Sequence, residues 1–269
     1  MRWDAVELEE ARLDHVETYA DYKQVHERHR VFPAVFENRH HRRILDIAAG
    51  VGVVAKRIKE LYDVDGLDLV GNDISPKCLR ILNSLGVKTL SFDIDDPQAP
   101  FPLADGSLDA IVCLSTLEHV LATRHFLRET FRVLAEDGCL YLSTPNYTGL
   151  LYLLPFLLTG RTFHNPLGGG TDPYEFYGHV RYFTYRSLRE LAVSFGFVLD
   201  TVYLALPELS SNYVALRKRS RIKASVFRLL MHALYRLGSP RWASEPILCL
   251  RKPRAGERAA DTKPRKVIL

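Results

Sequence analysis

The chain has 269 residues, 47% of them apolar, which is enough to bury a full hydrophobic core. Its net charge of +4 is unevenly distributed. Residues 217–269 hold 15 Lys and Arg against three acidic residues, a net charge of +12, so the remainder carries −8. The four cysteines lie far apart without a C-x-x-C pair, which excludes a disulfide framework and a cysteine-based metal site.

The first residues and the apolar runs indicate a cytoplasmic protein. The N-terminus is acidic and lacks the apolar stretch of a secretory signal. The longest apolar run, residues 150–158, contains Pro155 and is too short to span a bilayer. We therefore expect reduced, mostly buried thiols and no membrane-spanning segment.

Residues 1–42 are predicted to form an N-terminal helical cap, because residues 5–30 combine Glu, Arg and His with recurrent apolar positions. Beyond the cap, β-like apolar runs alternate with helical patterns. Such alternation is typical of a doubly wound α/β fold, in which helices cover both faces of a mostly parallel sheet. The predicted strands are 43–48, 67–72, 87–92, 108–114 and 138–144, and the predicted helices are 52–62, 76–85 and 123–134.

A long irregular stretch follows the fifth predicted strand. Residues 145–183 are rich in Pro, Gly and aromatic residues, and we interpret them as a lid or acceptor loop with a hinge at Gly168–Gly170. The next predicted elements are a helix at 184–195 and a sixth strand at 197–206.

The last part of the chain allows two arrangements. If 245–253 is the seventh strand, the amphipathic helix at 221–238 is an insertion before it. If 212–220 is the seventh strand, everything after it is an appendage. Residues 254–269 are predicted to be a disordered basic tail.

The segment ILDIAAGVGVV, residues 44–54, begins as a strand and ends in small residues that leave the backbone bare. It matches G-x-G-x-x-A, and Asp73 follows Gly52 by 21 residues, at the end of the second strand, where a carboxylate can accept both hydroxyls of a ribose. Taken alone, this pattern fits a nicotinamide dinucleotide as well as any other adenosine cofactor.

Two further carboxylates narrow the choice of ligand. Asp46 lies directly before the loop, where it is awkward beside a pyrophosphate but suits a ligand with an ammonium group. Asp93 follows the third strand and can accept a hydrogen bond from an exocyclic adenine amine, with the Ile94 amide nearby.

The sequence resembles the S-adenosylmethionine-dependent methyltransferases of the Rossmann-like type, above all the ubiquinone/menaquinone-biosynthesis-like enzymes that act on small molecules. The resemblance covers about residues 44–200 and is carried by ILDIAAGVG, LVGNDISPKCL, FPLADGSLDAIVCLSTLEHV, FLRETFRVLAEDGCLYLSTPN and GHVRYFTYRSLRELAVSFGF. It implies one methyltransferase domain over 43–253 with a seven-stranded sheet of order 3-2-1-4-5-7-6. It also implies contacts with S-adenosylmethionine at Asp46, Ala48, Gly50, Gly52, Asp73, Ile74, Asp93, Ile94 and Ser115. Ala48 stands where the family usually has its first glycine.

Methyl transfer from a sulfonium needs a base only when the acceptor must lose a proton. His119, in STLEHV, and His179, in GHVRYF, are the candidate catalytic residues. The alternative for His119 is a structural histidine that holds its loop, and for His179 a packing motif that positions the following helix. Nothing in the spacing of His and Cys resembles a zinc site, so no metal is expected.

The leading hypothesis is methyl transfer to a small-molecule acceptor, with lipophilic and sugar-linked acceptors both open. Two other functions stay open, a nicotinamide-dependent oxidoreductase and a non-catalytic S-adenosylmethionine-binding module. The apolar stripe of helix 221–238 packs on the body or on a twin subunit in a homodimer, or it contacts an anionic membrane. Nucleic acid is disfavoured, because no stacking aromatic set accompanies the basic charge.

Overall fold

The computed structural model describes residues 5–160, 178–209, 211–254, 256–257 and 262–269. The proposed hinge Gly168–Gly170 lies outside these residues. Within them, the chain forms one eight-stranded sheet of order β3-β2-β1-β4-β5-β7-β6-β8. The strands are β1 Arg43–Ile47, β2 Asp68–Asn72, β3 Lys88–Leu90, β4 Leu108–Leu114, β5 Leu134–Ser143, β6 Val198–Leu204, β7 Ile247–Arg251 and β8 Arg265–Ile268.

The predicted α/β class and the order of the first seven strands are confirmed, with β7 antiparallel to both β5 and β6. The prediction of seven strands and of a wholly disordered tail is wrong, because β8 pairs in parallel with β6. The segment Arg265–Ile268 has two charged residues followed by two β-branched residues, a composition that suits an edge strand. The high basic charge of the tail concealed this short pattern.

Helices cover the sheet and begin at recognisable caps. Ser75 and Thr184 accept hydrogen bonds from backbone amides three residues later, and Pro76 occupies the first helical position after Ser75. The α-helices are α1 Ala5–Arg12, α2 Glu27–Arg30, α3 Val53–Leu61, α4 Pro76–Ser84, α5 Thr123–Val133, α6 Leu150–Thr159, α7 Tyr185–Ser194, α8 Ser211–Arg219 and α9 Arg221–Leu237.

Two segments whose structure the sequence left irregular or undecided form helices. The stretch 145–183 is not irregular throughout, because α6 occupies Leu150–Thr159, where leucines of high helix propensity dominate. Residues 212–219 lie in α8, which settles the seventh strand as β7 and makes α8 and α9 insertions between β6 and β7.

Successive side chains of β1 lie on opposite faces of the sheet. Ile44 packs into one core cluster, whereas Leu45 and Ile47 pack into the other. A third cluster joins Leu13 and Val16 of the N-terminal cap to residues of the loop after β1 and the starts of α3 and α4. The cap therefore lies against the carboxyl edge of β1 and β2. No helix within the described residues is long and apolar enough to cross a membrane.

Candidate active site

The loop after β1 lies at the carboxyl edge of the sheet, where open α/β folds bind their ligands. Gly50 and Gly52 both adopt left-handed backbone conformations, with φ of 55° and 83°. A methyl group on Gly52 would lie 2.7 Å from a methyl carbon of Leu82, so this glycine is required by packing. Around Gly50, nothing lies within 4 Å of such a methyl group. The backbone at Gly50 is therefore open for a ligand to approach.

Ala48 has a φ of 51°, a left-handed conformation that costs an L-residue about 1–2 kcal/mol. The conformation accounts for the glycine that the family usually has at this position. Ala48 keeps the backbone path of the loop and adds an exposed methyl group beside it.

Asp73 ties the loop to the end of β2. Its two carboxylate oxygens accept hydrogen bonds from the amides of Gly50 at 2.8 Å and Ser75 at 2.9 Å. Burial raises the pKa of Asp73, and the hydrogen bonds from the amides of Ser75, Gly50 and Ile74 oppose that shift. Each oxygen retains a second lone pair, so the carboxylate can hold the loop and still accept a hydroxyl group.

Asp46 is buried on β1, next to the loop. Its Oδ2 has no hydrogen-bond partner among the described residues. Burial raises the pKa of Asp46 to about 7, and the nearby charge of Asp73 adds to the shift. A buried carboxylate oxygen without a partner is complementary to a positively charged group such as an ammonium.

Asp93 and Ile94 lie three and four residues beyond the last residue of β3, Leu90. Asp93 is exposed, and its Oδ1 accepts a hydrogen bond of 2.8 Å from the Asp95 amide. The Ile94 side chain packs into the hydrophobic core, which anchors this turn. Asp46, near the end of β1, and Asp73 and Asp93, which follow β2 and β3, thus lie at the ends of three neighbouring strands at one edge of the sheet.

Ser115, at the end of β4, has a left-handed φ of 48°. Its hydroxyl donates a 2.6 Å hydrogen bond to Glu245, which also accepts one of 2.8 Å from the Ser143 hydroxyl. Arg28 of α2 lies 2.9 Å from the other oxygen of Glu245. Glu245 was not among the predicted site residues, and its place just before an apolar strand was its only signal in the sequence. The residue joins the N-terminal cap to the carboxyl ends of β4 and β5.

His119 and His179, predicted separately from sequence, lie together in the structure. Their rings are edge to face, with centroids 4.8 Å apart. Nδ1 of His119 is hydrogen-bonded to the Gly178 carbonyl oxygen, and Nδ1 of His179 lies 3.0 Å from the Tyr147 hydroxyl. Because a carbonyl only accepts, Nδ1 of His119 carries a proton, so in the neutral ring the lone pair lies on Nε2.

Glu118 completes this cluster and was missed as a candidate, although it stands next to His119 in the motif. Its side chain is 1% exposed, and neither carboxylate oxygen has a hydrogen-bond partner among the described residues. The Nε2 atom of His179 lies 4.0 Å from its Oε1. Burial raises the pKa of Glu118 to about 8. We call Glu118, His119 and His179 the acid–imidazole cluster.

The segment around His179 packs against the turn that carries Glu118 and His119. The amides of Val180 and Arg181 donate hydrogen bonds to the Glu118 carbonyl, and the Arg181 guanidinium donates to the Val120 carbonyl at 3.0 Å. Tyr147, beside His179, stacks against Tyr152 and Tyr182 with ring centroids 5.0 and 4.7 Å apart. The cluster is thus fixed by the backbone and bordered by an aromatic wall.

A polar cavity of about 380 Å³ lies at the opposite edge of the sheet. Its lining includes Arg39, His40 and Asp109, next to the amino ends of β1 and β4. Open α/β sheets bind their ligands at the carboxyl ends of the strands, where the loop and the three carboxylates lie. The cavity is therefore not the candidate active site.

The family model of a methyltransferase domain matches residues 16–202, more than half of the chain. The chain belongs to this family. Membership in this methyltransferase family identifies S-adenosylmethionine as the cofactor and favours it over the nicotinamide alternative. The ammonium and sulfonium of that cofactor suit the buried Asp46, which agrees with the resemblance found from sequence.

Curated relatives of this methyltransferase are similar over part of their length. A ubiquinone biosynthesis O-methyltransferase from Psychrobacter arcticus is 26% identical over 175 residues, 64% of this chain and 65% of the relative. A demethylmenaquinone methyltransferase from Deinococcus radiodurans is 33% identical over 38% of this chain and 42% of its own length. The aligned region spans less than two thirds of either relative.

Solved structures share the fold of the methyltransferase at low identity. A possible histamine N-methyltransferase from Thermotoga maritima has a TM-score of 0.55 and 16% identity, covering 84% of this chain and 88% of that one. The [4+2]-cyclase SpnF has a TM-score of 0.52 and 18% identity over 86% of each chain. Neighbours with such different names show that the fold alone does not determine the reaction.

Proposed function

We propose that this protein transfers the methyl group of S-adenosylmethionine to a hydroxyl oxygen of a lipophilic small molecule. The observation that carries the proposal is the acid–imidazole cluster. Glu118 and His119 lie in the turn after β4. The strand β4 is the parallel neighbour of β1, which carries Asp46, and the two strands are paired at Cys113 and Ile47. The cluster thus shares a sheet edge with the loop expected to bind the cofactor.

The chemistry of a hydroxyl acceptor matches these side chains. The acceptor oxygen attacks the methyl carbon in line with the carbon–sulfur bond, whose electron pair leaves on the sulfur. The hydroxyl proton must be removed, and the cluster supplies imidazole and carboxylate groups that can take it up. Positioning the two reactants supplies most of the rate, since the cofactor is already activated.

A lipophilic acceptor is supported by the apolar surroundings of the cluster. Tyr147, Tyr152 and Tyr182 border it. The helix α6, which follows Tyr147, presents Leu154, Phe156 and Leu157 at its surface. Quinone-related names among the relatives point in the same direction.

The experiment is methyl transfer from labelled S-adenosylmethionine to a panel of hydroxylated aromatic acceptors with and without prenyl tails. We expect product with tailed phenols or catechols, and its loss in Glu118→Gln with cofactor affinity retained. Transfer only to amine acceptors would contradict the hydroxyl assignment. Cofactor binding without transfer to any acceptor class would favour a non-catalytic module.

We also propose that α9 contacts an anionic membrane. Ile222, Leu229 and Leu230 on this helix are each more than 60% exposed, and Arg221 and Lys223 near its start are exposed as well. Cations beside an anionic surface contribute about 1 kcal/mol each, screened by salt. Not every cation is available, because Arg228 pairs with Glu208 at 2.6 Å.

Co-sedimentation with vesicles tests this contact. We expect binding to vesicles that contain anionic lipid, reduced by salt and by the double substitution Leu229→Gln and Leu230→Gln. The matched control is Leu61→Gln, which removes an exposed leucine from α3. Recovery in the supernatant under all conditions would leave the stripe as a packing or homodimer surface.

A further inference from the structure

The acid–imidazole cluster brings three potential metal ligands together. One ligand atom from each of Glu118, His119 and His179 lies within 4.8 Å of the other two. We propose that these residues bind a divalent transition-metal ion that holds the acceptor hydroxyl. This inference rests on the proposed function for the role of the ion, but the binding site itself stands on the geometry.

The spacing is close to that of a metal centre. A tetrahedral ion with bonds of about 2.0–2.1 Å places its ligand atoms about 3.3 Å apart. The 4.0 Å between Glu118 Oε1 and His179 Nε2 must shorten by well under 1 Å, and the longest separation in the set, up to 4.8 Å, by about 1.5 Å. We expect side-chain rotations to bring the three ligand atoms to this spacing when the ion binds.

The imidazoles are oriented in the way that metal-binding histidines usually are. In such sites, one ring nitrogen binds the metal while the other is fixed by a carbonyl, carboxylate or other polar group. His119 uses Nδ1 for the Gly178 carbonyl, and His179 uses Nδ1 for the Tyr147 hydroxyl. Both arrangements assign Nε2 to the ion.

Glu118 provides the second, independent observation. A carboxylate that is 1% exposed and lacks hydrogen-bond donors among the described residues is costly to bury. A divalent cation would compensate it, and two neutral imidazoles with one carboxylate would leave a net charge of +1. That charge favours an anionic fourth ligand such as a deprotonated hydroxyl.

The ligand set indicates the class of ion. Two imidazole nitrogens and one carboxylate oxygen suit Zn²⁺, Mn²⁺, Fe²⁺ or Co²⁺ better than Mg²⁺ or Ca²⁺, which prefer oxygen. Three protein ligands leave a position open for the acceptor oxygen. When the ion occupies the cluster, the imidazoles and the carboxylate bind the ion and do not take up the proton. The bound hydroxyl instead releases its proton to water at neutral pH, and the oxygen then attacks the methyl carbon while the ion keeps its oxidation state.

No sequence pattern predicts this site, and no metal was expected. Glu118 and His119 are adjacent, but His179 is 60 residues away on the other side of the lid segment. No short spacing of His and Cys marks such a site. The two segments are brought together by the Val180 and Arg181 amides on the Glu118 carbonyl, the Arg181 guanidinium on the Val120 carbonyl, and the hydrogen bond between His119 and Gly178.

The test uses the full chain without an affinity tag, stripped with a chelator and titrated with Zn²⁺ by calorimetry. We expect one equivalent of zinc, and a visible absorption spectrum of nitrogen and oxygen ligation when Co²⁺ replaces it. Glu118→Gln and His179→Gln should each weaken zinc binding at least tenfold and bind S-adenosylmethionine normally, which shows that they fold. His15→Gln, which removes an exposed histidine of the N-terminal cap, should bind zinc as the unaltered chain does.

Equal zinc affinity in the unaltered chain and both cluster variants would overturn the proposal, as would no zinc bound at all. The outcomes separate the two proposals. Methyl transfer to hydroxyl acceptors by protein that binds no metal would reject the metal site and keep the function. One bound zinc lost in the cluster variants, without transfer to any hydroxyl acceptor, would keep the site and reject the function.

Discussion

The amide of Gly50 donates a hydrogen bond of 2.8 Å to the carboxylate of Asp73. This bond links the bare loop after β1 to the end of β2, so a residue expected to contact the cofactor also shapes the loop that receives it. Substitution of Asp73 therefore affects two contacts of the site at once.

The two glycines of the loop should respond differently to alanine. Gly52→Ala places a methyl group 2.7 Å from Leu82 at a left-handed φ, so we expect it to destabilise the fold by about 1–3 kcal/mol. Gly50→Ala meets open space, so its cost to the fold is only the backbone conformation, about 1 kcal/mol. Its methyl group should instead weaken cofactor binding.

Thermal unfolding and calorimetry with S-adenosylmethionine distinguish the two variants. Gly50→Ala should lower the melting temperature only slightly but bind the cofactor clearly more weakly than the unaltered chain. If Gly50→Ala binds the cofactor as tightly as the unaltered chain, the backbone at Gly50 is not in contact with the ligand.

Asp46→Asn should stabilise the cofactor-free protein at pH 8. The pKa of Asp46 in the folded chain is about 7, above its ordinary value of 3.8. Between these two pH values the folded state keeps a proton that the unfolded state has released, so the free energy of unfolding falls as the pH rises. Asparagine has no such proton to lose.

The melting temperatures of both proteins, measured between pH 5 and pH 8 without cofactor, test this point. The advantage of Asp46→Asn should be largest at pH 8 and shrink as the pH falls. A constant difference across this range would show that Asp46 does not titrate near neutrality.

Ala48→Gly should stabilise the protein slightly. Glycine relieves a left-handed conformation that costs alanine about 1–2 kcal/mol, and the greater freedom of glycine in the unfolded chain offsets about 0.4–1 kcal/mol of the gain. The net effect, measured by chemical unfolding, is expected to be about 0.5–1 kcal/mol. A destabilised variant would mean that the methyl group of Ala48 makes a contact that the backbone argument omits.

Much of the fold could be predicted because its pattern is local. The strand β4, expected over 108–114, is found at Leu108–Leu114, and Ser75 and Thr184 mark helix starts through their own side chains. The strand β8 was missed, because a four-residue edge strand in a basic tail gains its stability from β6 and not from its own composition.

The loop expected to bind the cofactor could also be predicted from the sequence, because Asp46, Gly50 and Gly52 lie within one segment of seven residues. The acid–imidazole cluster was not, because its members come together only through the packing of residues 178–181 on the turn at Leu117–His119. Glu245 was hidden for the same reason. Its partners Arg28, Ser115 and Ser143 are more than 100 residues away along the chain.

The most direct test of the central claim is calorimetric titration of S-adenosylmethionine into the unaltered chain, Asp73→Asn and His40→Ala. His40 lines the polar cavity at the opposite edge of the sheet and is exposed, so its removal is a matched control for the position of the site. We predict tight binding to the unaltered chain and His40→Ala, and at least tenfold weaker binding to Asp73→Asn, which loses an acceptor for the ribose or for the Gly50 amide. Unchanged affinity in Asp73→Asn, or loss of binding in His40→Ala, would contradict the placement of the cofactor at the carboxyl edge.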